Sequence, residues 1–286
     1  MAARIIDGKN IAENIKDGLK HEIAGLKTKG VIPGLAVIMV GDDPASKKYV
    51  ASKEKTCANL GISSFHYGLP ATVSQKELLE LVDRLNNEKK VSGILLQLPL
   101  PGGLKEKEAM SLISPDKDVD GFGPVSLGRL IMDEPVFIPC TPHGVMKMLE
   151  SFEIDPAGKH AVVVGRSIIV GKPLSLLLLR KNATVTICHS RTPNLKEICA
   201  SADILCAAAG RAGMITADMV KKGCTVIDVG INITSSGKIA GDVDFESVRE
   251  KASFITPVPG GVGPMTIAML MHNTVLAARI QAGILP

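Results

Sequence analysis

Short, nearly unbroken apolar runs alternate along the chain with segments in which apolar residues recur every three or four positions. The runs are GLAVIMV (34–40), SGILLQL (92–98), HAVVVG (160–165), ATVTIC (183–188), ADILCAAAG (202–210) and CTVIDVG (224–230). Lacking a polar face, they fit strands covered on both sides, as in a parallel sheet. The intervening segments read as helices. The start, MAARIIDGKNIAENIKDGLK, with the residues that follow it puts Ile11, Ile15, Leu19 and Ile23 on one face, and Ser74 with Glu77 forms a capping box ahead of LLELVDRL. Further helices are expected in ASKKYVASKEKTCANLG after Pro44, in VMKMLESF, from about Pro173, and in MTIAMLMHNTVLAARI near the end.

The β-α-β alternation breaks at FIPCTPHG (137–144) and again at PVPGGVGP (257–264). The expected fold is therefore α/β in two domains, an N-terminal α/β domain and a C-terminal Rossmann-like parallel-sheet domain. The boundaries implied are 1–140 with 264–286 for the first and 141–263 for the second, with a ligand cleft between them.

Composition narrows the function classes. With 286 residues, 45% hydrophobic and 22% charged, the chain can bury two cores of medium size. The net charge of +4 is scattered rather than gathered into a basic arm, and only 3% of residues are aromatic. Nucleic acid is not indicated, and a small anionic ligand fits better. The six cysteines form no CxxC pair, so buried reduced thiols and a cytoplasmic location are expected. Apolar runs such as LSLLLL (174–179) are too short to span a membrane, and the histidines lack metal-ligand spacing, so no metal is expected.

The chemistry is most legible after the strand HAVVV. Gly165, Ser167 and Gly171 form a glycine-bearing turn ahead of a helix, where backbone N–H groups and the positive helix end can face a pyrophosphate. An NAD site usually carries an acid at the end of the next strand to hold the ribose 2′-hydroxyl. ATVTICHSRT instead offers His189, Ser190 and Arg191, with Arg166 in the turn itself. Donors and positive charge suit a 2′-phosphate, hence NADP. In the other half, Tyr49 and Lys53 are four residues apart on one helix face, Gln97 stands near the carboxyl end of a strand, and Asp120 sits in the loop KDVDGFGP.

YVASK (49–53), QLPLP (97–101), DKDVDGF (116–122), IPCTPHG (138–144), GRSIIVGKP (165–173), ATVTICHSRT (183–192), IDVGIN (227–232) and ITPVPGGVGPMT (255–266) occur in this order. Together the chain resembles the bifunctional methylenetetrahydrofolate dehydrogenase/cyclohydrolases over nearly its whole length. The resemblance implies NADP-dependent oxidation of 5,10-methylenetetrahydrofolate, then hydrolysis of the methenyl product to 10-formyltetrahydrofolate, in a homodimer acting on small tetrahydrofolate substrates. It implies Lys53 as the catalytic base, a role that requires a neutral amine and is helped by desolvation beside a cationic methenyl group. Gln97 would orient Lys53, Tyr49 would face the aminobenzoyl ring, and Asp120 would accept from the pterin. On the cofactor side it implies Arg166 and Ser190 at the 2′-phosphate, Gly165 and Ser167 at the pyrophosphate, and Thr141 and Ile231 near the nicotinamide. Pro259, Gly260, Gly261 and Gly263 would let backbone approach the ligands, although a plain tight turn is an equal reading. One departure is Ser126, where the family commonly has Asn.

Two other readings stay open at this level. One is a dehydrogenase of the same architecture acting on a shikimate-like hydroxy acid, and the other is a non-catalytic dinucleotide-sensing module. Tyr49, Lys53, Gln97 and Asp120 together argue against the first, and folate-dependent NADPH production separates all three readings.

Overall fold

The computed structural model describes residues 2–234 and 237–284. In chain order the elements are β1 (Arg4–Ile5), α1 (Gly8–Thr28), β2 (Gly34–Val40), α2 (Pro44–Leu60), β3 (Ser63–Leu69), α3 (Gln75–Asn87), β4 (Gly93–Leu96), α4 (Glu106–Leu112), α5 (Pro124–Ile131) and α6 (Cys140–Ser151). They continue with β5 (His160–Val164), α7 (Gly171–Arg180), β6 (Thr184–Cys188), α8 (Leu195–Ala200), β7 (Ile204–Ala207), β8 (Thr225–Asp228), β9 (Asn232–Ile233), β10 (Ile239–Ala240), α9 (Phe245–Arg249), β11 (Phe254–Ile255) and α10 (Val262–Gln281). The chain divides into two compact units. One takes the chain up to Glu13 with Pro139–Met269, the other Asn14–Ile138 with the chain from Leu270.

The second of these units holds a parallel sheet in the order β3-β2-β4. All seven residues of β2 and all four of β4 are buried, as the continuous apolar runs predict. Helix α3 opens on the expected capping box and buries Leu78, Leu81, Val82 and Leu85. Strand β3 was not expected, because SSFHYGL is polar in alternation and lies at the sheet edge, where it is only half covered. Since β3 and β4 flank β2 on opposite sides, the chain reverses direction across the sheet at β2, and a crevice opens at the carboxyl ends of such strands.

In the other unit six parallel strands run in the order β1-β11-β8-β7-β5-β6. Strand order reverses at β5, and register aligns its last residue, Val164, with Cys188 of β6 on one side and Ala207 of β7 on the other. Asp228 of β8 is in turn level with Ala207. On one face of this sheet the core holds Val162, Val164, Leu205, Ala207, Val226 and Ile255, with Leu195 and Ile198 of α8 and Phe245 of α9 packed against it. Strand β6 is less covered than its apolar run suggested. It forms the sheet edge, where Thr184 and Ile187 reach solvent.

The unit boundaries differ from the expected 1–140, 141–263 and 264–286. The first residues are a strand rather than the start of a helix, since Arg4 and Ile5 pair with Phe254 and Ile255. A two-residue strand leaves no periodicity to read. The later crossing falls inside α10 after Met269 rather than at PVPGGVGP. Pro264 sits in the first turn of α10, and Pro142 in the first turn of α6, where a missing N–H breaks no helical bond.

Glycines in α1 fall into two kinds. A Cβ at Gly8 would run into the carbonyl oxygen of Gly261, whereas Gly18 and Gly25 face open space. Gly18→Ala should therefore raise stability by about 0.5–1 kcal/mol through helix propensity. Gly8→Ala should lower it despite the same propensity gain, and urea unfolding of the two variants reads the difference directly.

Candidate functional site

Helix α2 starts where Asp43 accepts the Ser46 N–H at 2.7 Å and Pro44 occupies the first helical position. Leaving the end of β2, it carries Tyr49 and Lys53 on one face. Lys53 is only 9% exposed, and its Nζ donates to Gln97 Oε1 at 2.8 Å. Gln97 follows directly on β4, its backbone N–H bonded to Ile38 O of β2 at 2.9 Å. Its Nε2 donates to Leu98 O at 2.8 Å, which turns the amide oxygen toward Lys53. Tyr49 is 38% exposed, and burial raises its phenol above the ordinary range.

The segment DKDVDG runs beside β4, with Ile94 N–H bonded to Lys117 O at 2.8 Å. Each side chain has its own task. Lys117 is buried and donates to Leu85 O and Glu88 O at the end of α3, at 2.9 and 2.8 Å. Val119 packs over Gly93, and its carbonyl takes a 2.8 Å bond from buried Asn273, which also donates to Ile138 O at 3.0 Å. Asp118, 3% exposed, accepts from Phe122 N–H at 3.3 Å, Gly123 N–H at 2.8 Å and Ser126 Oγ at 2.6 Å. Burial pushes its carboxyl upward against the pull of those bonds. Asp120, half-buried, is held on this loop between fixed neighbours. A hollow of about 480 Å³ lies between α2 and β3, lined by Lys47, Val50, Glu54 and His66 among others. It lies against a different face of α2 and is lined by none of Tyr49, Lys53, Gln97 and Asp120.

In the six-stranded unit, the turn after β5 is drawn tight by two glycines. Gly165 has φ +146°, and a Cβ on it would strike Ala208 O; one on Gly171 would strike Gly165 O. Gly165 N–H bonds to Cys188 O at 2.9 Å, so the ends of β5 and β6 are joined. Ser167 Oγ accepts from Val170 N–H at 3.1 Å and Gly171 N–H at 3.4 Å at the start of α7, which leaves its hydroxyl hydrogen to donate. Arg166, Ser190 and Arg191 are exposed around this turn, and no acid stands at the end of β6. A dinucleotide phosphate with a charged ribose 2′ position fits this turn, helix end and pair of arginines. Thr141, in the first turn of α6, shares a 2.9 Å hydrogen bond with Thr266 of α10, and Ile231 is 46% exposed after β8.

The catalytic domain of the tetrahydrofolate dehydrogenase/cyclohydrolase family matches residues 6–120, and its NAD(P)-binding domain matches residues 139–282. The bifunctional protein FolD of Thermodesulfovibrio yellowstonii is 57% identical over 281 residues, covering 98% of each chain. The chain belongs to the tetrahydrofolate dehydrogenase/cyclohydrolase family. Among solved structures, the bifunctional FolD methylenetetrahydrofolate dehydrogenase/cyclohydrolase from Campylobacter jejuni superposes with a TM-score of 0.96 at 50% identity, covering 98% of this chain and 100% of that one. The Trypanosoma brucei dehydrogenase-cyclohydrolase, solved in complex with NADP cofactor and an inhibitor, gives 0.95 at 39% identity and covers 99% of each. The protein is thus an NADP-dependent methylenetetrahydrofolate dehydrogenase and methenyltetrahydrofolate cyclohydrolase, a two-domain α/β enzyme.

The family motif PVPGG reads differently in three dimensions than in sequence. Lys9 N–H bonds to Gly260 O at 2.9 Å, and Gly261 packs on Gly8, so the close approach these glycines permit is to the first turn of α1. Pro259 follows a cis peptide bond, as does Pro99 in QLPLP. Two acids of this dehydrogenase/cyclohydrolase escape a reading of the sequence. Asp242 is fully buried, and its Oδ2 accepts from Ala209 N–H at 2.6 Å and Gly210 N–H at 2.9 Å. Its Oδ1 accepts from Arg211 N–H at 2.8 Å and Asn232 Nδ2 at 2.9 Å. Asp228 accepts from the N–H groups of Gly230 at 3.0 Å and of Asp242 and Val243 at 2.9 Å each. Burial pushes the Asp228 carboxyl up to about 6, with the nearby Asp242 charge adding to the rise and the three N–H bonds opposing it. The signal that could have found them is an acid flanked by glycine and apolar residues, in IDVG and GDV.

Among the described residues no helix is long and apolar enough to cross a membrane, and no three His, Cys, Asp or Glu side chains converge as a metal site. The six cysteines are buried and none is in a disulfide.

Ser126, the departure from the family's common Asn, is the donor to Asp118 rather than an exposed ligand group. Ser126→Ala should cost about 1.5–3 kcal/mol, the range for a bond to a charged group. Ser126→Asn restores a donor and should recover part of the loss in the same urea titration.

Proposed function

We propose that Lys53 is the general base of the hydrolytic step and that Gln97 holds its amine. The observation that carries this is the 2.8 Å bond between a nearly buried lysine and Gln97 at the carboxyl ends of β2 and β4. Tyr49 offers a flat face to the aminobenzoyl ring, and Asp120 accepts two hydrogen bonds from the pterin's 2-amino-4-oxo edge. The three-stranded unit binds folate on this reading, and the six-stranded unit binds NADP.

The two reactions ask different things of these residues. Loss of hydride from the methylene bridge leaves an amidinium cation stabilised by its two nitrogens, so the chain contributes mainly by holding the folate in place. NADP, when bound, supplies the hydride acceptor. Arg166 and Ser190 bind its 2′-phosphate, Gly165 and Ser167 its pyrophosphate, and Thr141 and Ile231 border the nicotinamide. In hydrolysis, neutral Lys53 takes a proton as water adds to the methenyl carbon. The bond from that carbon to N5 then breaks as N5 gains a proton, leaving the formyl group on N10. The enzyme acts as a homodimer, and its reduced buried cysteines fit the cytoplasm.

Lys53→Met keeps the apolar stem and removes the amine. It should lower cyclohydrolase activity by at least about a hundredfold, yet retain measurable dehydrogenase activity and release methenyltetrahydrofolate. Wild-type hydrolysis by the folded variant would rule out Lys53 as the base. Loss of both activities with ligand binding intact would point to shared positioning.

Arg166→Ala should erode the preference for NADP over NAD by about tenfold or more, the effect of one charge-assisted hydrogen bond. Calorimetric titration with both dinucleotides measures it, and a parallel loss of both affinities would place Arg166 elsewhere on the ligand.

A further inference from the structure

Two carboxylates lie buried behind the carboxyl ends of the central strands of the six-stranded sheet, and neither reaction step uses them. Asp242 has both oxygens filled by three successive backbone N–H groups, Ala209 to Arg211, and by the Asn232 amide. Asp228 gathers the N–H groups of Gly230, Asp242 and Val243. The two loops so tied together follow β7 and β8, whose last residues are level with the end of β5. Between the anchored residues Gly230 and Asn232 stands exposed Ile231, whose Cδ1 reaches the turn at Gly263. The packing is built around the acids, because a Cβ on Gly230 would strike the Asp242 carboxyl and one on Gly241 the Asp228 carboxyl.

We propose that Asp242, backed by Asp228, is a positioning residue of the dehydrogenase reaction that sets the loops Ala209–Arg211 and Gly230–Asn232 against the dinucleotide. The inference rests on the reading that NADP lies along the carboxyl ends of β5 to β8. A fully buried carboxylate that accepts from two loops at once fixes both in one arrangement, because releasing either loop would leave its own buried charge short of donors. It also takes up the inward N–H groups of Ala209 to Arg211, so this loop meets a ligand through its outer surface and not through an anion-binding nest. Hydrolysis of the methenyl compound needs no dinucleotide, and that separates this role from simple support of the fold.

In Asp242→Asn an amide NH2 replaces one acceptor and faces N–H donors. Fluorescence titration with NADPH, without turnover, should show Kd raised by at least about tenfold, with KM for NADP rising more than kcat falls. Methenyltetrahydrofolate hydrolysis should stay within about twofold of wild type. Asn232→Ala removes one donor of four from a less buried position and should raise Kd for NADPH by about threefold, so it carries the test if Asp242→Asn does not fold. Unchanged NADPH affinity in folded variants would overturn the proposal, as would equal losses of NADPH binding, hydrolysis and thermal stability, which a purely structural acid would produce. Failure of the wild type to bind NADPH would overturn the dinucleotide reading and this inference with it.

Discussion

Parallel strand pairing is the constraint on which the rest of the structure depends. Parallel neighbours cannot be joined by tight turns, so each strand must be followed by a crossover, and every crossover leaves from the same end of its sheet. In each unit the chain then reverses around one strand, β2 in one and β5, next to the edge, in the other. Side chains with chemistry reach those ends on the helices and turns that leave the strands. Lys53 comes from the helix after β2 and Gln97 from the first position after β4, while Arg166 and Ser190 come from the turns after β5 and β6.

Loops at such rims would be mobile if only their own backbone held them, and here buried polar side chains tie them down. Lys117 closes the end of α3 and Asp118 gathers the start of α5, so Asp120, between Asp118 and the groups it binds, has little freedom. Asp228 and Asp242 do the same for the turns after β7 and β8. In each case an ionisable group is removed from water and satisfied by several hydrogen bonds, a choice that exchanges some stability for one defined loop geometry. The partners lie up to tens of residues apart in sequence, as with Lys117 and Leu85 or Asp242 and Ala209.

Tight backbone approach is the other recurring device. Gly165 and Gly171 let the turn after β5 fold onto itself and onto the loop after β7, and Gly8 lets the first turn of α1 meet the PVPGG turn. Both contacts involve backbone on both sides, so a side chain has nowhere to move. A glycine in sequence shows that such freedom is available but not which neighbour requires it, and Gly18 in the same helix as Gly8 meets nothing.

The sequence by itself determined the fold class, six strands that make up most of both sheets, five of them buried, the glycine turn after β5 and the Tyr49–Lys53 pair on one helix face. These are local properties, because strand burial, helix period and turn chemistry are written in neighbouring residues. The short strands β1, β9, β10 and β11 and the polar edge strand β3 were not legible, since two-residue strands have no period and an edge strand need not be apolar on both faces. The unit to which the first thirteen residues belong was likewise decided only in three dimensions, where Arg4 and Ile5 pair with Phe254 and Ile255 and Lys9 bonds to Gly260. The bond that turns Gln97 onto Lys53, and the burial of Asp118, Asp228 and Asp242, come from tertiary structure alone. A charged residue in a sequence reads as a surface residue until the donors that surround it are brought in from distant parts of the chain, and only the folded backbone does that.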